Sequence, residues 1–291
     1  MKNICAITGK EFEITDDDLK FYEKMGVPLP TLCPEERRRR RMVQENARHL
    51  YHRTCDATGK KIISLHSSDK KYPVYEKEYW WSDAWDARDY GQDFDFSRPF
   101  FEQWQELHEK VPKMSLLVDG NENSEYVNQS GWDKNCYLCF CTDHSENCLY
   151  CQDAYHSHDV CDSLLAYSSE LCYEIIASRG CYQCFFLQNC ENCSDSWFLK
   201  NCIGCSYCFG CINLRNKRYY FNNEKCTKDE YLQKIQSLFL EKESFLSHIK
   251  NGFFHFAQQH PHKHMEGVGN EKVTGNIVSY SKNARECFES R

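Results

Sequence analysis

The 291-residue chain lacks an apolar run of 18 residues, which excludes a transmembrane helix. Its first residues, MKNICAITGKEFEITDDD, hold neither an apolar h-region nor a small-residue cleavage site. The expected location is therefore the cytoplasm, with no membrane partner. The chain also lacks the low hydrophobicity of a disordered protein, since 41% of its residues are hydrophobic. No motif names a reaction. No Cys/His/Asp constellation has an identifiable nucleophile, and His156 and His158 near Cys161 read as loop. No base-reading motif is present either, so sequence-specific nucleic-acid recognition is not expected.

What the chain has is cysteine, 20 in all. In a reducing cytosol disulfides are rare, so metal ligation and packing are the competing explanations. Aligning the Cys-x-x-Cys pairs puts first members at Cys136, Cys148, Val160, Cys172, Cys181, Cys190 and Cys202. The steps between them are 12 residues, or 9 after Cys172 and Cys181. A fixed short period marks a solenoid. Two units would make one coil, or each unit would be a coil of its own. Val160, Ser163 and Ile175 occupy cysteine positions, and valine and isoleucine cannot bind metal. The shared requirement is a small, mostly apolar side chain pointing inward, which a free thiol meets. The expectation is one inward column of thiols, with the shortened steps absorbed in corner loops. A buried Ser at Cys190 would then cost more than Val or Ala. The sharper reading is zinc, because Cys190, Cys193, Cys202 and Cys205 have the spacing of a four-thiolate site, as do Cys136, Cys139, Cys148 and Cys151.

Charge is unevenly spread within a net −7. Residues 30–62 carry nine Lys/Arg against four Asp/Glu, and residues 63–126 carry seven against fourteen. The five arginines Arg37 to Arg41 cannot share one helical face. They either pair with the aspartates of SDAWDARDYGQDFDFS or meet an anionic partner such as RNA or the ribosome. The candidate contact residues are Arg37, Arg38, Arg40, Arg41, Arg48 and Arg53. That arginine helix is expected to run from Pro34 through Val43, Ala47, Leu50 and Tyr51.

Two CxxTGK turns at Cys5 and Cys55, with a Cys-Pro turn at Cys33, look like zinc knuckles lacking half their ligands. Cys5, Cys33, Cys55 and His52 would make a Cys3His zinc site; the other reading is a knuckle held by packing alone. Phe100, Phe101, Trp104, Leu107 and Val111 lie at helical spacing and read as core rather than as a base-stacking platform. Thr227 and Glu230 form a capping box opening a long amphipathic helix that ends at Gly252. The stretch HFAQQHPHKH reads as exposed loop, and Gly275 to Cys287 as a partial coil.

The expected fold class is α+β: a small knuckle-like N-terminal module, then a Cys-ladder parallel β-solenoid with flanking amphipathic helices. The segments are a basic module at 1–62, an aromatic and acidic connecting module with a helix at 63–126, the Cys-rich solenoid at 127–222, an amphipathic helix at 223–252, and a His-rich loop with partial coil at 253–291. An open solenoid end would favour self-association. The expected function is a non-enzymatic binding or scaffold protein. The alternative is a zinc-binding protein or a thiol- or metal-dependent enzyme.

The stretches FYEKMGVPLPTLCPEERRRRR, YWWSDAWD, YGQDFDFSRPFFEQ and CFGCINLRNKRYYFNNEKCTKDEY resemble a family of cysteine-rich proteins from uncultivated small-genome bacteria of the candidate-phyla group. The resemblance implies a bacterial cytosolic source and a zinc-finger-like N-terminus followed by a repeat region. It brings no activity, substrate or catalytic residue, and Thr8, Glu36 and Thr58 stand where that pattern would have ligands.

Overall fold

A computed structural model describes residues 1–43, 46–239 and 245–290. The chain forms two compact units, Met1–Asp153 and Ala154–Arg291, so the division falls inside the cysteine-rich segment. The architecture is mixed α+β, and its largest element is a 12-stranded, mostly parallel sheet between Val118 and Lys225.

The first unit opens with hairpin β1 (Lys2–Ile4) and β2 (Glu11–Glu13). Helix α1 (Asp16–Met25) follows, with a Thr15/Asp18 capping box and a left-handed Gly26 at its end. Helix α2 (Pro34–Met42) starts at the Cys33 cap with proline in its first turn. It stops nine residues short of Tyr51, which instead begins strand β3 (Tyr51–Thr54) beside β4 (Lys61–Ser64). Asn46 explains the break. Its side chain bonds the backbone of His49 and of Leu65, fixing a turn where a helix would continue. Strand β5 (Val74–Tyr75) pairs in parallel with β6 (Lys113–Met114), and between them lie α3 (Lys77–Trp80) and α4 (Phe100–Lys110).

From residue 118 the backbone changes character. Every third residue from Gly120 to Asn222 has a positive φ, and nearly all are not glycine. Every third residue from Val127 to Cys211 is buried. Up to Arg218–Phe221, which folds back antiparallel on Glu224–Lys225, each strand pairs in parallel with the chain 12 residues later. In the first unit this places Asn128 beside Phe140 and Glu122 beside Lys134. In the second it places Val160 beside Cys172, Leu187 beside Leu199 and Cys208 beside Tyr220. Asparagine and aspartate are common at the left-handed positions, where a short polar side chain lowers the cost.

This register revises the expected thiol column. All six residues are buried, as expected. Cys172 continues the row of Val160 through Cys184 to Ser196, whereas Cys190 and Cys202 share a second row and Cys181 lies in a third with Cys193. The steps of 9 are not deletions. They move the cysteine pair back by three residues, one step of the three-residue alternation, within an unbroken 12-residue register.

In the second unit α5 (Lys228–Phe239) and α6 (Phe245–Gln258) follow the long sheet. Thr227 and Glu230 form the expected capping box. Gly252 does not end the second helix, which runs on to Gln258 and takes in His255. Tyr231, Ile235, Leu238, Ile249 and Phe253 pack on Phe198 and Phe209, so both helices bury their apolar stripes on the strands' outer rings. Of the histidine-rich stretch, His260 bonds the Phe256 carbonyl and the Asn223 side chain. Strands Gly267–Val268, Gly275–Ser279 and Cys287–Ser290 form a separate parallel sheet, the last pair again 12 residues apart.

Candidate functional site

Helix α2 carries the basic run. Glu35 and Glu36 sit in its first turn and Arg39 to Arg41 in its last, which suits the helix dipole at both ends. Arg39 pairs with Glu36 at 2.8 Å. Arg37 is half-buried and donates to the Tyr22 hydroxyl at 2.7 Å. Arg38, Arg40 and Arg41 are exposed, and no carboxylate among the described residues pairs with them. In the aspartate segment of the same unit, two carboxylates have local partners instead: Asp86 binds Arg88, and Asp95 accepts from Ser97. Arg48 is exposed as well. Arg53 is different. Its buried guanidinium bonds the Ser67 and Tyr72 carbonyls and Asp56, so it holds loops together rather than facing outward.

The aromatic segment of this unit departs from the expected core. Tyr75, Tyr79, Trp80 and Trp85 do cluster, with ring centroids 4.6–5.6 Å apart. Phe96 and Phe101 are 93% and 79% exposed, and Trp81, Phe94, Phe100 and Trp104 are exposed too. The buried residue of α4 is Gln103. Its amide accepts from the Asp95 N–H at 2.8 Å and donates to the Asp95 carbonyl at 2.9 Å. It also donates to the Arg98 carbonyl at 3.1 Å. The loop before the helix wraps this one polar side chain, which turns the apolar stripe outward.

The two CxxTGK turns are built alike. In each, the cysteine N–H donates to the lysine carbonyl and the glycine N–H donates back to the cysteine carbonyl, all at 2.8–2.9 Å. In each, the lysine reaches a glutamate, Lys10 to Glu35 and Lys60 to Glu76. Cys5 and Cys33 share one small core with Phe12, Ile14 and Leu32. The Cys5 thiol is lowered to about 6, first by the Cys33 backbone and then by the Thr8 hydroxyl. Burial works against a thiolate at Cys55, but the Thr58 hydroxyl and the Glu76 N–H outweigh it and its pKa falls. Cys5, Cys33, Cys55 and His52 are not gathered into a ligand set. Among the described residues no group of three or more His, Cys, Asp or Glu is placed to hold a metal. Two thiols in one core fall short of a closed four-ligand zinc site.

The thiols between Cys136 and Cys211 have another use. The buried ones donate to the carbonyl two residues earlier, as Cys190 does to Gln188 and Cys202 to Lys200 at 3.4–3.5 Å. Inward serines do the same, and several also accept an N–H from the residue 12 later: Ser178 donates to Ile176 and accepts from Cys190. All 20 cysteines are free. Burial, followed by Cys193 and Cys202, pushes the Cys190 thiol up, so it stays protonated and unreactive. Sequence reasoning passed over the exposed rings of α4 because periodicity shows that a stripe exists, not what it faces. No protein-family model matches the chain, and no curated protein is similar to it.

Proposed function

We propose that the chain is a non-enzymatic cytoplasmic binding protein whose basic helix engages RNA, free or within the ribosome. The observation that carries this reading is the state of Arg38, Arg40 and Arg41: exposed, and paired with no carboxylate among the described residues, in a unit rich in aspartate. Exposed Phe96, Phe101 and Trp81 in the same unit supply ring faces for unpaired bases, which need no sequence code. The scaffold reading rests on residues 118–221, which we take to be a β-solenoid of 12-residue coils with four three-residue sides. Its support is the constant 12-residue register and the unbroken three-residue alternation of left-handed and buried positions.

The test is fluorescence anisotropy of a labelled mixed-sequence single-stranded RNA across a salt series. Replacing Arg38, Arg40 and Arg41 together by Gln is expected to flatten the slope of log affinity against log salt by about 2. An unmodified protein that does not bind the RNA at ~50 mM salt ends this reading. Self-association would follow from the strand Cys287–Ser290, paired on one side among the described strands, with Phe288 and Tyr280 exposed. Light scattering that shows a monomer throughout the micromolar range would exclude it.

A further inference from the structure

A polar hollow of about 420 Å³ lies in the second unit, where three successive parallel strands end. That volume falls within the range of small-molecule sites. Tyr182–Gln188, Ser194–Lys200 and Ser206–Ile212 pair in register, so their last residues, Gln188, Lys200 and Ile212, form one row of the floor. Asn189, Asn201 and Asn213 follow directly, each turning the chain with a positive φ, and form a second row beside it. Asn201 donates to the Asn213 side chain at 2.6 Å, and Asn213 donates to the Pro261 carbonyl at 3.0 Å. These bonds hold the segment from Pro261 to Glu266 against the rows as a wall.

Lys200 points to the charge of a ligand. It is half-buried in the middle of its row, and its ammonium has neither a carboxylate nor a hydrogen-bond partner among the described residues. Withdrawing a cation from water without a partner is unfavourable. Other strand residues of this unit are matched: Arg179 meets Glu191, and Glu174 meets Lys250. The acid of the lining, Glu266, is already engaged, by Lys263 at 2.7 Å and by the Asn189 amide at 3.2 Å. His262 and His264 add ring nitrogens to the same wall. Arg215, which pairs with no carboxylate among the described residues, bonds the Asn201 carbonyl and side-chain oxygen and adds to the positive field. The amides point to hydroxyls. The Gln188 side chain has no partner among the described residues, and an amide offers a donor and an acceptor together, as a hydroxyl does.

We propose that this hollow binds a small phosphorylated sugar or polyol. Its phosphate lies against Lys200 and the N–H groups of His262 and His264, and its hydroxyls meet the amides of Gln188 and Asn189. Donors arriving from both the floor and the wall suit the three terminal oxygens of a phosphate better than the two coplanar oxygens of a carboxylate. A neutral sugar would leave Lys200 without a counter-charge, and bare phosphate would leave the amides without hydroxyls. The site belongs to the second unit and the arginine helix to the first, so failure of either test leaves the other standing.

The experiment is calorimetric titration of the full chain at low salt with glucose 6-phosphate, glucose, glucuronate and inorganic phosphate. Glucose 6-phosphate is expected to bind at least roughly tenfold more tightly than each of the others, the scale of one charge-assisted hydrogen bond. Lys200→Gln keeps the length and a donor, and should erase that advantage over glucose, with circular dichroism confirming the fold. The double variant His262→Gln and His264→Gln should weaken glucose 6-phosphate and leave glucose unchanged. Equal affinity for glucose, glucuronate or inorganic phosphate would overturn the proposal, as would tight binding that survives Lys200→Gln. So would no binding of glucose 6-phosphate up to ~10 mM. If that failure accompanies RNA affinity that falls in Lys200→Gln, the hollow serves an RNA backbone instead.

Discussion

Helices α4 and α5 carry comparable apolar stripes and meet opposite fates. In α5, Tyr231, Ile235 and Leu238 pack against the rings of Phe198 and Phe209. In α4, Phe100, Phe101 and Trp104 face outward while Gln103 is buried. The difference lies in what each helix is offered. Parallel strands with 12-residue register set aromatic side chains in continuous rows, a ready second layer for a helix. The segment around α4 offers a loop with unsatisfied backbone groups, and an amide that can bond several of them outcompetes a ring that can bond none. Amphipathicity is a property of the helix; the choice of inner face belongs to its neighbour.

The largest expected effect is on the α5 side. Tyr231→Ala should destabilise the second unit by about 3–5 kcal/mol, the cost of emptying a buried aromatic site. Denaturant titration followed by near-ultraviolet circular dichroism would measure it. A loss as small as that of an exposed ring would erase the contrast between the helices.

Next is a buried carboxyl in the first unit. Asp133 accepts from the Ser145 N–H at 2.9 Å and from the Thr142 hydroxyl, yet burial raises it to about 6. A raised acid favours its protonated form when folded. Stability is therefore full below the unfolded value near 3.8 and falls as pH rises through about 6. The change should be about 2 kcal/mol between pH 4 and pH 7, because at pH 4 the unfolded carboxyl is already partly ionised. Asp133→Asn keeps both partners and should abolish that slope. A variant whose midpoint still moves with pH in this window would show that another group is responsible.

On the α4 side, Gln103→Leu should cost about 1–3 kcal/mol despite adding an apolar side chain, because the Asp95 and Arg98 backbone groups lose their partner. If leucine stabilises the unit, the stripe and the amide have been assigned the wrong roles. Cys190→Ser should cost less than about 1 kcal/mol, reversing the order drawn from the sequence. The new hydroxyl would find the geometry that Ser178 uses 12 residues earlier: a carbonyl two residues back and an N–H 12 residues on. The smallest effect belongs to Phe101→Ser, within about 0.5 kcal/mol of the parent. Its place in the comparison is sharpened if RNA affinity falls while stability does not.

Much of this was legible in the residues. The capping boxes at Thr15 and Thr227 and the break at Gly26 depend on local chemistry and were readable directly. The repeat was visible too, but its unit was half hidden. Steps of 12 and 9, and the Cys-x-x-Cys spacing itself, are all multiples of three, which is the true alternation. It was masked because the inward set mixes Cys, Ser, Thr, Ala, Val, Ile and Leu, polar and apolar alike. Small inward serines are tolerated because each finds carbonyl and N–H partners along the strand, a fact that lies in the register and not in composition. The end of α2 depended on Asn46 reaching Leu65, and the outward turn of α4 depended on Gln103 reaching Asp95. Such contacts between separated residues carry no local signal.

The three-residue alternation also sets rules for how such a gene can grow. In the solenoid proposed above, duplicating one 12-residue segment would add a complete layer and leave every side chain of the older layers in its row. There, inserting three residues would keep inward positions inward but shift each later one to the next side, which a mixed interior of small residues can absorb. Inserting one or two would turn every later inward residue outward at once. Lineages of this chain are therefore expected to differ in length by multiples of three codons within residues 118–221, with twelve the best tolerated, and elsewhere to follow no such rule.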